Sequence, residues 1–175
     1  MKQKDIIETI EKKFPDEVVA SDAEAINAFI AVKPEALHKI VEFMHDDENL
    51  LFDMCHSIAG VDYAKDKPLA ITYHFTSYKF KHWLTVKVEF ADRENCEIET
   101  ISDIYGGANW HEREAYDLLG IIFKGHPNLK RILTPDDWEG HPLRKDYQMP
   151  ETYQGVKAKA ENTWASNAFH FPEKK

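Results

Sequence analysis

Two neighbouring stretches of the sequence decide the fold class. Residues 69–77 read LAITYHFTS, and residues 82–90 read HWLTVKVEF. In each stretch apolar residues alternate with polar or small ones, a period of two that is typical of strands with one buried face. The apolar run at residues 50–61 precedes them and predicts a third strand, with a bulge near Ala59 and Gly60. Three consecutive strands are therefore expected in the middle of the chain.

Helical periodicity lies on both sides of these strands. Apolar residues recur at helical spacing in residues 6–14 and again in residues 37–44. Pro34 opens the second helix at a first-turn position, where its missing N–H costs nothing. A third helix is predicted at residues 109–119, and Gly120 is a natural residue to end it.

Two short strands, residues 18–20 and 26–32, are predicted between the first two helices. The resulting order α-β-β-α-β-β-β-α favours an α+β fold, in which a mixed β-sheet and the helices packed on it form two layers. After residue 122 the periodicity ends, and Pro, Gly, His and charged residues dominate. We therefore divide the chain into an α+β domain, residues 1–122, and an extended, irregular C-terminal docking segment and tail, residues 123–175.

The composition excludes several classes of function. A formal net charge of -9 argues against nucleic acid as a partner, because phosphate binding needs a basic excess. The chain has no apolar signal core and no apolar run of membrane-spanning length, so we expect a soluble chain that reaches a membrane only through partners. Cys55 and Cys96 cannot ligate an iron–sulfur cluster by themselves. We expect both to stay reduced, with Cys55 in the core, and no zinc, nucleotide or nucleophile motif is present.

The most informative stretch for function is residues 109–150, NWHEREAYDLLGIIFKGHPNLKRILTPDDWEGHPLRKDYQMP. Its helix carries a dense mixed-charge face, on which Arg113 and Asp117 lie one turn apart. The tripeptide Gly-His-Pro occurs at residues 125–127 and 140–142, and a basic pair follows each time. Gly-His-Pro favours a turn, and a basic pair held by a rigid turn suits ion pairing with carboxylates of a partner protein.

For any single charge in this stretch, an internal salt bridge or a solvated face is the simpler interpretation. For the stretch as a whole we favour a partner, because an isolated loop would expose the apolar residues interleaved with its charges. Thr134 is predicted to cap one short helical turn, with Asp137 at the third position. The tail contains aromatic residues of the kind that interfaces favour: Tyr153, Trp164, Phe169 and Phe171.

The spacing in this stretch resembles the signature of the 30 kDa subunit family of NADH:quinone oxidoreductase (respiratory complex I), whose bacterial members are called the C subunit. The matching residues are Glu112, Arg113, Glu114, Asp117, Leu118, Leu119, His126, Lys130, Ile132 and Leu133. Residues 139–146, EGHPLRKD, are similar to the family's next block. The signature and interface residues carried over by this resemblance are Glu112, Arg113, Glu114, Asp117, His126, Lys130, Arg131, Gly140, His141, Arg144, Lys145 and Asp146.

The resemblance implies a cofactor-free structural component of the peripheral arm, docked chiefly on the D subunit and close to the B and I subunits, which carry iron–sulfur clusters. The signature residues would fix the exit of the fold and dock the C-terminal segment, and none would be catalytic, cofactor-binding or metal-binding. FMN, iron–sulfur clusters and quinone would lie in partner subunits. The assembled enzyme transfers electrons from NADH to quinone with proton translocation. The implied location is peripheral, on the cytoplasmic side of the bacterial inner membrane.

Three alternatives stay open at this point. The same scaffold is expected in membrane-bound hydrogenases and related dehydrogenases. A generic acidic adaptor would differ from an obligate subunit in being stable and soluble without a partner. A free-standing metalloenzyme would need histidine and carboxylate ligands, which have no metal-ligand spacing on a common element here; the candidates are His111, Glu112, Glu114, His126 and His141.

Overall fold

The computed structural model describes residues 2–63 and 67–157. The predicted α+β fold, with a mixed sheet, packed helices and an irregular C-terminal segment, is confirmed. The aromatic residues Trp164, Phe169 and Phe171 lie outside the described residues. The elements, in chain order, are α1 (Gln3–Lys13), β1 (Val18–Asp22), β2 (Phe29–Val32), α2 (Leu37–Asp46), β3 (Met54–Asp62), β4 (Leu69–Ser77), β5 (His82–Glu89), β6 (Glu97–Glu99), α3 (Ala108–Leu119), β7 (Ile122–Lys124), β8 (Thr152–Tyr153) and β9 (Val156–Lys157).

The main sheet has the strand order β1-β2-β5-β4-β3. Strands β3, β4 and β5 pair antiparallel in sequence, and β1 pairs antiparallel with β2. Strand β2 runs parallel to β5, and this pair makes the sheet mixed. The connection that contains α2 therefore carries the chain from β2, inside the sheet, to its far edge at β3.

The alternation predicted for β4 and β5 is present in the structure. In β4, Tyr73 and Phe75 are fully buried, while His74 between them is only partly buried. Helices α1 and α2 contribute Ile10 and Met44 to the same core, as their helical spacing predicted. One apolar sheet face covered by two amphipathic helices gives the two-layer arrangement.

Two predicted strand boundaries are wrong for local reasons. The strand predicted at residues 26–32 begins only at Phe29, because Asp22 accepts the N–H groups of Glu24 and Ala25 in a turn that leaves Ile26 99% exposed. The strand predicted from Leu50 begins at Met54. Residues 50–53 instead continue the exit from α2, where Leu50 and Phe52 are buried without being part of a strand.

The bulge predicted near Ala59 and Gly60 is also wrong in position. The register of β3 against β4 shifts between Cys55 and Ser57. The extra residue lets Cys55 and Ile58, which are three positions apart, both face the core on an edge strand. Cys55 is buried, as predicted, and both it and Cys96 are free thiols.

Strands β6 and β7 were not predicted. They pair in parallel, Glu97 to Glu99 against Ile122 to Lys124, and form a small second sheet beside α3. Strand β7 straddles the boundary proposed at residue 122, and Phe123 within it is part of the core. The irregular segment therefore leaves the domain from a paired strand.

Tyr105 fixes the loop before α3 to the loop after α2, because its buried hydroxyl donates to the carbonyl of Phe52. We expect Tyr105→Phe to lower the free energy of unfolding by about 1–3 kcal/mol, the cost of leaving that carbonyl unpaired. Urea denaturation measures this value. The half-exposed Tyr63 provides a matched control, and Tyr63→Phe should change stability by less than about 0.5 kcal/mol. Equal stabilities of the two variants would contradict the assignment.

Candidate functional site

The end of α3 is where the irregular segment attaches to the α+β domain. An α-helix leaves its last four carbonyls without partners inside the helix. Gly120 satisfies the first of them, because it adopts a left-handed conformation with φ of 77° and donates its N–H to Tyr116 at 2.8 Å. A Cβ atom at Gly120 would lie 2.5 Å from Nε2 of His141. Glycine is therefore required here both by backbone conformation and by the close approach of the segment.

Residues 141–144 satisfy the other three carbonyls at the end of α3. The donors are His141 Nδ1 to Asp117 at 2.9 Å, the Leu143 N–H to Leu118 at 3.1 Å, and Arg144 Nε to Leu119 at 2.7 Å. A guanidinium at a helix C-terminus also complements the negative end of the helix dipole. The second sequence block thus caps α3, a contact that sequence reasoning did not derive, because main-chain carbonyls leave no pattern in the sequence.

The carboxylate of Asp117 organises the first part of the segment. It is fully buried and accepts the backbone N–H groups of Ile132 at 3.0 Å, Leu133 at 2.7 Å and Thr134 at 2.9 Å. Arg131 Nη1 donates to it at 2.8 Å, and the Thr134 hydroxyl donates as well. Three successive amides around one carboxylate form an anion-binding nest.

This nest sets the charge state of Asp117. Burial by itself raises the pKa of Asp117, but the hydrogen bonds from Thr134, Ile132 and Leu133 outweigh it and hold the pKa well below the ordinary value. One prediction made from the sequence is corrected here: Thr134 binds Asp117 instead of capping a helical turn. The ion-pair partner of Asp117 is Arg131.

Arg113 binds backbone carbonyls of the segment. Its Nε donates to the carbonyl of Lys130 and its Nη2 to that of Arg131, both at 3.1 Å. Its guanidinium also lies 5.2 Å from the ring centroid of Trp110. Arg131 in turn donates from Nη2 to the carbonyl of Gly140 at 2.9 Å. The two guanidinium groups are thereby committed to this chain, so the simpler interpretation, internal contact, holds for both.

A second anchor ties the segment to the edge of the sheet. Arg93 donates both terminal nitrogens to Asp62, at 2.8 and 2.7 Å, and Nη2 also reaches Asp146 at 3.2 Å. The Lys145 N–H donates to Asp62 at 2.7 Å. The hydrogen bonds from Arg93, together with that from Lys145, outweigh burial and lower the pKa of Asp62 to about 2. Sequence reasoning missed Asp62 and Arg93, because no local pattern links residues so far apart along the chain.

Glu112 and His126 lie inside the domain. Glu112 is fully buried and accepts the Ile101 N–H at 2.8 Å and the hydroxyl of Thr100. The imidazole of His126 donates from Nε2 to the carbonyl of Asn109 at 3.2 Å and lies 3.9 Å from the Glu112 carboxyl group. Burial raises the pKa of Glu112 to about 7 against the hydrogen bonds that lower it.

Three signature residues instead direct their side chains outward. Within residues 2–63 and 67–157, the side chains of Glu114, Lys130 and Lys145 make neither a hydrogen bond nor an ion pair, and all three residues are exposed. Exposed apolar side chains lie on the same helix and segment. We call this set the outer surface; its residues are Trp110, Glu114, Lys130, Leu133, Leu143 and Lys145.

The five candidate metal ligands do not converge on one point, although His126 lies 3.9 Å from the carboxyl group of Glu112. Glu112 is buried beside Thr100, Glu114 is exposed, and His141 binds the end of α3. No group of three or more His, Cys, Asp or Glu side chains in the described part of the chain is placed to hold a metal ion. In the part of the chain that the structure describes, no helix is both long enough and apolar enough to cross a bilayer.

The family pattern described as "Respiratory-chain NADH dehydrogenase, 30 Kd subunit" matches residues 30–153. The chain belongs to this family. The match covers β2 to β8 and contains both sequence blocks that attach to α3. The resemblance inferred from the signature spacing is therefore confirmed.

Relatives in the 30 kDa subunit family are similar over most of the chain. The NADH-quinone oxidoreductase C subunit of Chloroherpeton thalassium is 46% identical over 150 residues, which are 85% of this chain and 62% of that relative. The chain thus spans less than two thirds of that relative's length. The corresponding C subunit of Chlorobium phaeobacteroides is 41% identical over 152 residues, which are 86% of this chain and 91% of the relative.

Two solved structures share the fold. A chain of the membrane-bound sulfane sulfur reductase, an archaeal respiratory membrane complex, superposes with a TM-score of 0.70 at 24% identity, covering 85% of this chain and 87% of that chain. A trypsin-resistant fragment of Nqo5 superposes with a TM-score of 0.58 at 24% identity, covering 74% of this chain and all of the fragment. At this identity the likeness establishes the fold alone.

Asp117→Asn tests the nest directly. The substitution keeps the size of the side chain but removes the charge that Arg131 and three N–H groups surround, so we expect a loss of about 3 kcal/mol in the free energy of unfolding. Limited proteolysis should then cut residues 131–144 faster. The exposed Glu114 gives the control, and Glu114→Gln should leave both measurements unchanged. A stable, protease-resistant Asp117→Asn variant would show that the nest does not hold the segment.

Glu112 predicts a pH dependence of stability. Its folded-state pKa of about 7 exceeds the ordinary 4.5, so the folded protein binds the proton more tightly than the unfolded chain. The stability that this proton contributes is complete below pH 4.5 and is lost as the pH rises through 7. Relative to Glu112→Gln, the wild-type protein should lose about 2.5 kcal/mol between pH 5 and pH 8. Urea denaturation across that range measures it, and parallel profiles for the two proteins would refute the assignment.

Proposed function

We propose that the chain is a cofactor-free structural component in the peripheral arm of an NADH-quinone oxidoreductase, docked chiefly on the D subunit and close to the iron–sulfur proteins of the complex, the B and I subunits. The observation that carries the proposal is that the signature residues fall into two groups, one bound within the chain and one exposed. Most signature side chains bind the segment to α3 and the sheet edge, whereas Glu114, Lys130 and Lys145 are exposed. Internal anchors make the segment rigid, and the exposed residues remain for a partner.

The composition of the outer surface supports docking. Trp110, Leu133 and Leu143 are 61%, 62% and 57% exposed, and protein interfaces combine an apolar core, enriched in aromatic residues, with a polar rim. Because the backbone beneath Leu133 and Leu143 is already fixed by Asp117 and α3, docking costs little conformational entropy at these positions. A rigid, mixed apolar and charged surface suits a permanent contact between subunits.

In this proposal the redox chemistry belongs to other subunits. FMN, the iron–sulfur clusters and quinone lie in partners, and the whole complex transfers electrons from NADH to quinone with proton translocation. The chain contributes position, holding its partners in a fixed relation near the cytoplasmic side of the membrane. It contacts the bilayer only through those partners.

A second candidate is the equivalent scaffold protein of another respiratory membrane complex, such as a hydrogenase or a reductase. The fold shared with a chain of the sulfane sulfur reductase, at a TM-score of 0.70, favours it. The two candidates predict different catalytic partners and the same docking surface.

Purification of the tagged chain from detergent-extracted native membranes, with mass spectrometry of the associated proteins, tests the proposal. Arg144 is unsuitable for a charge reversal because it caps α3. We expect the double variant Lys130→Glu, Lys145→Glu, at two exposed positions, to reduce the amount of D subunit recovered by about tenfold. A tenfold loss of affinity corresponds to about 1.4 kcal/mol of binding free energy. The melting temperature of this variant should fall only slightly, because Lys145 binds Asp62 through its backbone N–H, which the substitution keeps, and only the weaker attraction of its side-chain charge is lost.

The matched control reverses two exposed lysines of α1, Lys4→Glu and Lys12→Glu, and changes net charge equally. It should co-purify like the wild-type chain. If the Lys130 and Lys145 variant is also recovered with a full complement of partners, the outer surface is not the docking site. If hydrogenase-type or reductase-type proteins accompany the wild-type chain, the second candidate replaces the first, and if the chain is recovered alone, both are refuted.

A further inference from the structure

Beyond the anchors, the segment folds back and encloses a pocket of about 350 Å³. Its walls are aromatic and its rim is acidic. We call it the aromatic–acidic pocket, and the residues that matter here are Asp137, Trp138, Glu139, Tyr147, Tyr153 and Gln154. Glu139 is the first residue of the second signature block. The other five residues lie outside the two blocks that bind α3.

The aromatic walls are held in place by the backbone. The rings of Trp138 and Tyr153 lie 5.0 Å apart at 53°. Tyr153 is presented by the β8–β9 hairpin, whose two turn residues, Gln154 and Gly155, have φ of 47° and 78°. Tyr147 packs on Gly140, where a Cβ atom would lie 3.0 Å from the ring. The pocket is thus preformed by a tight turn and a glycine contact.

The described residues do not neutralise the negative charge of the acidic rim. Asp137 accepts the Tyr153 hydroxyl at 2.7 Å and Nε2 of Gln154 at 3.2 Å, both neutral donors. These hydrogen bonds, from Tyr153 and then Gln154, lower the pKa of Asp137. In the part of the chain that the structure describes, Glu139 has no ion-pair partner. Two carboxylates therefore line one pocket, and both are available to a cation from outside.

We propose that the aromatic–acidic pocket receives one arginine side chain of the protein on which the segment docks, an inference that rests on the proposed function. A guanidinium stacks on aromatic faces and binds carboxylates in a bidentate manner, and it matches both the walls and the rim. A lysine ammonium is less well suited, because it is more strongly hydrated and cannot stack.

The test uses the full chain labelled with 5-fluorotryptophan and followed by fluorine NMR. The chain has four tryptophans, and Trp138→Phe assigns the resonance of Trp138. The probe is N-acetyl-arginine methylamide, with the citrulline analogue as its neutral isostere and the lysine analogue as its cationic competitor. We expect the Trp138 resonance alone to shift saturably with the arginine probe, at a dissociation constant of about 1–10 mM.

The double variant Asp137→Asn, Glu139→Gln removes both negative charges and keeps the size of the side chains. It should weaken arginine binding by about tenfold. Glu8→Gln with Glu42→Gln, on exposed positions of α1 and α2, removes the same charge and should change nothing. Binding of citrulline or lysine as tight as that of arginine would overturn the proposal. So would the lack of any saturable shift of Trp138.

The same two double variants are then compared in purification from native membranes. We expect less partner protein to co-purify with the Asp137 and Glu139 variant, and a normal amount with the Glu8 and Glu42 variant. Equal amounts of partner protein with the two variants would overturn the pocket's role in docking. Failure of the proposed function is a separate outcome, in which even the wild-type chain is recovered without partners. The NMR titration reports on the pocket in either case, so the two failures are distinguishable.

Discussion

The structure depends most on one buried carboxylate, that of Asp117. It lies in the last turn of α3, where the helix dipole is already negative and unpaired carbonyls accumulate, so an acidic side chain is unfavourable there by itself. The irregular segment supplies what is missing: Arg131 and three backbone N–H groups for the carboxylate, then donors from His141, Leu143 and Arg144 for the carbonyls. Helix and segment are each incomplete without the other, which explains how a stretch without regular secondary structure keeps a defined path.

The α+β domain provides a second fixed point. Asp62 at the end of β3 binds Arg93 and the backbone of Lys145, so the segment is held at the sheet edge as well as at the helix end. Two anchors separated in this way determine both the position and the direction of the chain between them. The exposed side chains of that chain are consequently presented on a rigid frame, which is the property that the proposed docking role requires.

Periodicity predicted the elements whose structure is local. The alternation in β4 and β5, the apolar spacing of the helices and Gly120 at the end of α3 all gave correct elements. It failed where distant residues decide the structure. The strand β6 exists only because β7 pairs with it, and the bulge sits where Cys55 and Ile58 must both reach the core. The signature residues were found, but the partners of Arg113 were not, because a guanidinium binds main-chain carbonyls as readily as carboxylates, and carbonyls leave no trace in the sequence.

The caps of α3 come from residues that follow it by more than twenty positions, and this order has a consequence for biosynthesis. While the ribosome is adding residues 120–140, the carbonyls of Leu118 and Leu119 still lack their donors. The last turn becomes complete only when Arg144 has been added. A chain interrupted before that point presents a frayed helix end and an outer surface that is incomplete, so the folding of this region depends on whether translation has passed the second sequence block.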